Sequence, residues 1–117
     1  MDRPVDDAAL RDARARAEDA IASLSGELAQ MMAASESSNA DDEHDPEGAT
    51  IAFERAQITA LLSQARVRLI AIDRALVDVG SGAYGRCVHC GDRIGSERLA
   101  ARPAAQTCIS CARRPPR

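Results

Sequence analysis

The sequence predicts a mainly α protein: a long antiparallel helical hairpin, paired as a coiled coil and joined to a small four-cysteine finger. Three observations predict it. Two long stretches carry apolar residues at heptad spacing. A polar, acidic break separates them, and two Cys-x-x-Cys pairs follow the second stretch. The composition agrees. Of 117 residues only Phe53 and Tyr84 are aromatic, and the 45% hydrophobic content is largely alanine, which favours helix but fills little volume. So few large apolar side chains suit a narrow seam between paired helices better than a compact globule.

The first helix is expected over residues 4–35. Pro4 suits a first turn, and Asp6 and Asp7 suit the positive end of the helix dipole. Ala17, Ile21, Leu24, Leu28 and Met31 recur in alternating steps of 4 and 3, and Leu10 extends this seam upstream. Gly26 is its weak point, costing about 1 kcal/mol relative to alanine.

Residues 36–45 carry no apolar periodicity and read as a loop. Asp45 then serves as N-cap and Pro46 as first helical residue of a second helix over 46–79. Its seam is Ile51, Ile58, Leu62, Ala65, Leu69, Ile72, Leu76 and Val79, and Gly80-Ser81-Gly82 stops it. The expected division is a hairpin over 1–80, with an acidic tip near 36–48, and a finger over 81–117 that ends in a short basic tail.

The finger carries the chemistry. Cys87-Val88-His89-Cys90 and Cys108-Ile109-Ser110-Cys111 are separated by seventeen residues, a spacing that fits a four-cysteine zinc site. Two residues between cysteines let both thiolates face one ion. Four thiolates close a tetrahedral shell with no open position for water, so the expected cofactor is one structural Zn²⁺ held by Cys87, Cys90, Cys108 and Cys111. His89 inside the first knuckle is expected to point outward. Disulfides would need an oxidising compartment, and a redox Cys-x-x-Cys would need a βαβ setting absent here. Ile94 and Leu99 are the expected packing residues between the knuckles, Tyr84 the contact to the helices, and Arg86, Arg93, Arg98 and Arg102 a basic face.

Charge bounds the partners. Net charge is −3, but residues 1–50 hold 13 acids against 4 bases and residues 51–117 hold 5 acids against 11 bases, all of them arginine. The overall balance argues against a general DNA-coating protein. No stretch reaches the 18 or more apolar residues of a membrane span, and the N-terminus lacks a signal-peptide pattern, so a cytoplasmic location is expected. No nucleophile–base constellation is present, which argues against an enzyme.

The run Tyr84-Gly85-x-Cys87-x-x-Cys90-Gly91-x-x-Ile94-x-x-x-Arg98-Leu99-x-Ala101-Arg102-Pro103, followed by Cys108-x-x-Cys111, closely resembles the DksA/TraR family of bacterial zinc-finger regulators. The match is dense over 84–111, and upstream it is one of architecture. The resemblance implies a transcription regulator that binds RNA polymerase instead of promoter DNA. In this family the hairpin enters the secondary channel, and its tip alters initiation, often together with the alarmone ppGpp. The family tip, commonly Asp-x-x-Asp-x-Ala, maps best onto Asp45, Glu47 and Ala49, with Asp42 keeping the acid spacing to Asp45. Positions that carry basic ppGpp contacts in well-known members fall on Ala71, Ala112 and Arg102. Only Arg102 keeps its charge, which weakens the case for ppGpp as a ligand. Arg102 and Arg98 are the candidate anion or partner contacts.

Two other readings compete. A zinc-ribbon module could bind nucleic-acid phosphates through the finger arginines, although the finger lacks aromatics for base stacking. A Gre-like factor could place Asp41, Asp42 and Glu43 to hold a second Mg²⁺ in the polymerase and stimulate transcript cleavage.

Overall fold

The structure is a computed structural model that describes residues 7–37 and 46–115. Its elements are α1 (Ala8–Ser37), α2 (Pro46–Ser81), α3 (Ser96–Ala101) and α4 (Ile109–Ala112). Among the described residues there is no strand, only an isolated antiparallel bridge between Arg86 and Arg93. The mainly α class expected from the heptads is the observed one. Pro4, Asp6, and residues 38–45 with Asp42 and Asp45 lie outside the described residues, as do the side chains of Pro46 and Glu47.

Asp7 opens α1. Its carbonyl accepts from the Arg11 amide at 2.9 Å, and its carboxylate pairs with the Arg11 guanidinium one turn on at 3.2 Å. The helix continues unbroken through Gly26 and runs to Ser37, two residues past the expected end. The other helix also overruns its expected stop at Val79: Gly80 and Ser81 are helical, and Gly82 ends it with φ +83. The Ala83 amide reaches back to the Asp78 carbonyl at 2.9 Å and the Gly82 amide to Val79 at 3.4 Å. This Schellman closure needs a left-handed residue just past the helix, so it falls on the second glycine of the Gly-Ser-Gly run.

The chain forms two compact units, and α1 and α2 contribute to both. The first holds residues up to Arg16 and from Arg68 onward. Leu10, Ile72, Ala75, Cys87 and Ile94 are its buried apolar residues, and the Arg14 guanidinium donates to the Asp73 carboxylate at 2.6 Å. The second unit, Ala17–Val67, buries Ala17, Leu62 and Ala65.

The seams are shallower than their spacing suggested. Ile21, Leu24, Leu28, Met31, Ile58, Leu69, Leu76 and Val79 are half-buried, and Ile51 is exposed. Two helices alone cover each other only along a strip, so residues at its margins keep one side in water. Ala75, absent from the expected seam, is buried.

Candidate metal centre

Local backbone geometry builds each knuckle. After the first cysteine pair the chain must reverse, and Gly91 does so with φ +77 while its amide returns to the Cys87 carbonyl at 3.0 Å. The His89 amide points at the Cys87 sulfur, 3.4 Å away. The second knuckle reverses through a helix instead. Cys108 is the N-cap of α4, its sulfur accepts from the Cys111 amide at 3.4 Å, and its carbonyl accepts from Ala112 at 2.9 Å. Both knuckles thus aim amide dipoles at sulfur, as a thiolate requires.

Three groups of bonds bring the knuckles together. A short hairpin flanks the first: the Cys87 amide donates to Asp92 at 2.8 Å and the Ile94 amide to Gly85 at 2.7 Å. The Val88 amide donates to Gln106 at 2.9 Å, and the Arg98 Nε to the Thr107 carbonyl at 2.8 Å, which holds the segment just before Cys108. Pro103 follows α3 and cannot continue it; its carbonyl accepts the Tyr84 hydroxyl at 2.7 Å. The Tyr84 amide in turn donates to Asp78 at the end of α2, at 3.2 Å. Tyr84 and Leu99 are half-buried and Ile94 is buried, so all three expected packing residues turn inward.

The result is a cluster of the four cysteines, whose sulfurs all lie within 4.8 Å of one another. Cys90 and Cys108 Sγ are 3.8 Å apart. A tetrahedron with Zn–S bonds of about 2.3 Å has edges of roughly 3.8 Å, whereas a disulfide would bring sulfurs to about 2.05 Å. All four cysteines are free. His89 is exposed and is not part of the cluster.

The electrostatics of the donor set also fit a cation. Amides of Cys90, Cys108 and His89 pull the Cys87 thiol down to about 6. Hydrogen bonding to the Cys108 sulfur, then to Cys87, and desolvation push Cys111 up to about 12. By themselves the sulfurs share too few positive partners to ionise together, and a divalent ion supplies the missing charge. The four cysteines hold one structural zinc ion. Bound there, it closes its coordination shell with protein sulfur and leaves no position for a reacting water.

The remaining sequence-predicted residues are not gathered into this site. Arg86, Arg93 and Arg102 are exposed, and the Arg86 guanidinium donates to the Gly91 carbonyl at 3.3 Å. Arg98 is half-buried and its Nε is committed to Thr107, a bracing role that the sequence did not signal. Ala49 is exposed in the first turn of α2. Among the described residues, no helix is long and apolar enough to cross a membrane.

Comparisons with known proteins agree with this geometry. Residues 82–117 match the family described as the prokaryotic dksA/traR C4-type zinc finger. No curated protein matches the chain in sequence. Among solved structures, the transcription factor DksA2 from Pseudomonas aeruginosa is similar at 28% identity and a TM-score of 0.69, over 88% of this chain and 74% of that one. The similarity reaches well beyond the finger into the helices. Residues 82–117 thus carry a zinc finger of the dksA/traR C4 type, on a chain whose fold is similar to that of the transcription factor DksA2.

Proposed function

We propose that this DksA-type transcription factor binds RNA polymerase at the secondary channel and modulates initiation through the tip of its helical hairpin. It acts in the cytoplasm as a regulator and not an enzyme, and it does not read DNA sequence. The fold-wide similarity to a transcription factor carries the reading. The closed thiolate shell supports it, since such a site organises structure and offers no reactive position.

The division of labour follows the sequence. Residues 1–80 form the hairpin and 81–117 the finger. The 36 residues of α2 span about 54 Å, enough to carry a charged loop into a deep pore. Asp45, Glu47 and Ala49, with Asp42, are assigned to the tip. Their charge acts close to the catalytic Mg²⁺ of the polymerase. Arg102, and the free nitrogens of Arg98, are assigned to partner contact. If ppGpp binds, Arg102 is the cation that meets it.

The test pairs binding with transcription. Labelled protein should bind core polymerase and be displaced by a Gre factor. Asp45→Asn with Glu47→Gln should leave binding nearly intact and reduce the effect on promoter-specific initiation. Simultaneous binding with a Gre factor, or a tip variant as active as wild type, overturns the reading. Cleavage of halted transcripts would favour the Gre-like alternative. Binding to free DNA of equal strength, weakening steeply with salt, would favour the nucleic-acid module.

A further inference from the structure

The Ala17–Val67 unit carries apolar surface that its own two helices leave uncovered. Phe53, the only phenylalanine of the chain, is 70% exposed on α2. On the same helix Ala56, Thr59, Ala60 and Ser63 floor a groove that begins at Ala52 and Arg55 and is walled by Leu28 and Met32 of α1. The four floor positions are spaced i, i+3, i+4 and i+7. In coiled coils four residues of one helix form the hole that receives one knob from a facing helix. The hole itself is floored by small side chains, with Arg55 the one charged residue at its edge. The Thr59 hydroxyl donates to the Arg55 carbonyl at 2.8 Å, so its hydrogen bond is satisfied within its own helix. Met32, 49% exposed, offers the thioether that favours an aromatic neighbour. The groove, about 600 Å³, has the size of a ligand site, but it is broadly open and lacks the convergent polar groups that orient a small molecule.

Knob and hole therefore lie on one helix of one unit, and their order in the chain matters. Phe53 precedes the hole. Two copies of α2 running antiparallel about a two-fold axis near Ala56 place each Phe53 over the hole of the other, so both are filled at once. A parallel pair with the same contact fills one hole and leaves the second open, which propagates instead of closing. We propose that this face of α2 is the docking site for a second copy of the chain, forming a closed antiparallel dimer in which each Phe53 fills the other copy's groove. The strength follows from area. Two phenylalanines bury roughly 300–500 Å² in total. With the small residues of the groove around them, the interface stays below the about 1,200 Å² of a stable complex. The dimer is consequently weak, with a dissociation constant in the micromolar to millimolar range.

Sedimentation velocity of the zinc-loaded full chain tests this, in a series from about 5 μM to about 1 mM that spans the expected range. The average mass should rise from that of one chain towards that of two and stop there. Added salt should not reverse it, because the contact is apolar. Phe53→Ser should weaken association at least tenfold, and so should Ala60→Arg, which fills the hole. Both positions are solvent-exposed, so helicity and melting should be unchanged. A wild type that stays monomeric throughout overturns the proposal. So does a mass that climbs past two chains, an association that salt dissolves through the opposed charges of the two halves, or a Phe53→Ser variant that associates like wild type.

Discussion

The Tyr84 hydroxyl donates to the Pro103 carbonyl at 2.7 Å, and burial pushes its pKa above the ordinary value of 10.0. A phenol raised on folding is held neutral by the fold. Its contribution is therefore complete below the unfolded-state value and is lost as pH rises through the higher folded value. For the zinc-loaded protein we expect denaturant stability to hold up to about pH 10 and then fall, with part of that fall due to Tyr84. Tyr84→Phe should cost about 1 kcal/mol at neutral pH, from the lost hydrogen bond, and should show a shallower alkaline decline. Equal alkaline slopes in the two proteins would refute the assignment. The cysteines make a larger demand. Metal analysis should give one zinc per chain, and Cys111→Ser should lose most of it. Chelation should unfold the 82–115 segment, since binding of roughly 10–16 kcal/mol in small zinc peptides doubles as folding energy. This part of the site was legible from spacing alone, because two Cys-x-x-Cys pairs constrain their own geometry. Its bracing was not. Arg98 to Thr107 and Tyr84 to Pro103 join residues 9 and 19 positions apart, and no periodicity announces such pairs.

In the helices, burial decides what a substitution does. Ile72 is among the most deeply buried side chains, whereas Val77 on the same helix is exposed. Ile72→Ala should cost about 2–5 kcal/mol and Val77→Ala no more than about 0.5 kcal/mol. A charge in the seam should discriminate in the same way. Leu62→Asp strands a carboxylate at a buried position, and Leu69→Asp leaves it a path to water. Thermal melts followed by helicity should rank Leu62→Asp well below Leu69→Asp, and equal melting points would mean that both positions face the same environment. The heptads revealed most of the residues that line the seam, since that depends on helix geometry, but they included the exposed Ile51. They did not reveal depth. Ala75 escaped notice because a small side chain gives little contrast in an alanine-rich helix. Phe53 is 70% exposed although it is the largest apolar side chain of its helix, and it lies outside the heptad positions that the sequence singled out. The C-terminal ends of both long helices were legible to within two residues, whereas α1 starts at Ala8, four residues later than expected, and the Gly-Ser-Gly run concealed which glycine would turn left-handed.

At the scale of the whole molecule, the proposed dimer and the proposed polymerase contact draw on the same part of the chain. The groove begins six residues after Pro46 on α2, and Met32 lies five before the end of α1, so it adjoins the tip segment in sequence. A hairpin inserted in a narrow channel has no room for a second copy on that face, so the two states should exclude each other. Only the monomer then binds polymerase. With a weak dimer, free monomer grows linearly with total protein at low concentration and as its square root at high concentration. Polymerase occupancy by the wild type should therefore rise more gradually than a one-site curve once the protein exceeds its dimer dissociation constant. Phe53→Ser should follow a one-site curve throughout and coincide with the wild type at low concentration. Fluorescence titration of labelled polymerase across both regimes measures this directly. A variant weaker than wild type even at low concentration would mean that Phe53 touches the polymerase itself. Identical curves at high concentration would mean that dimerisation leaves the channel-binding face free.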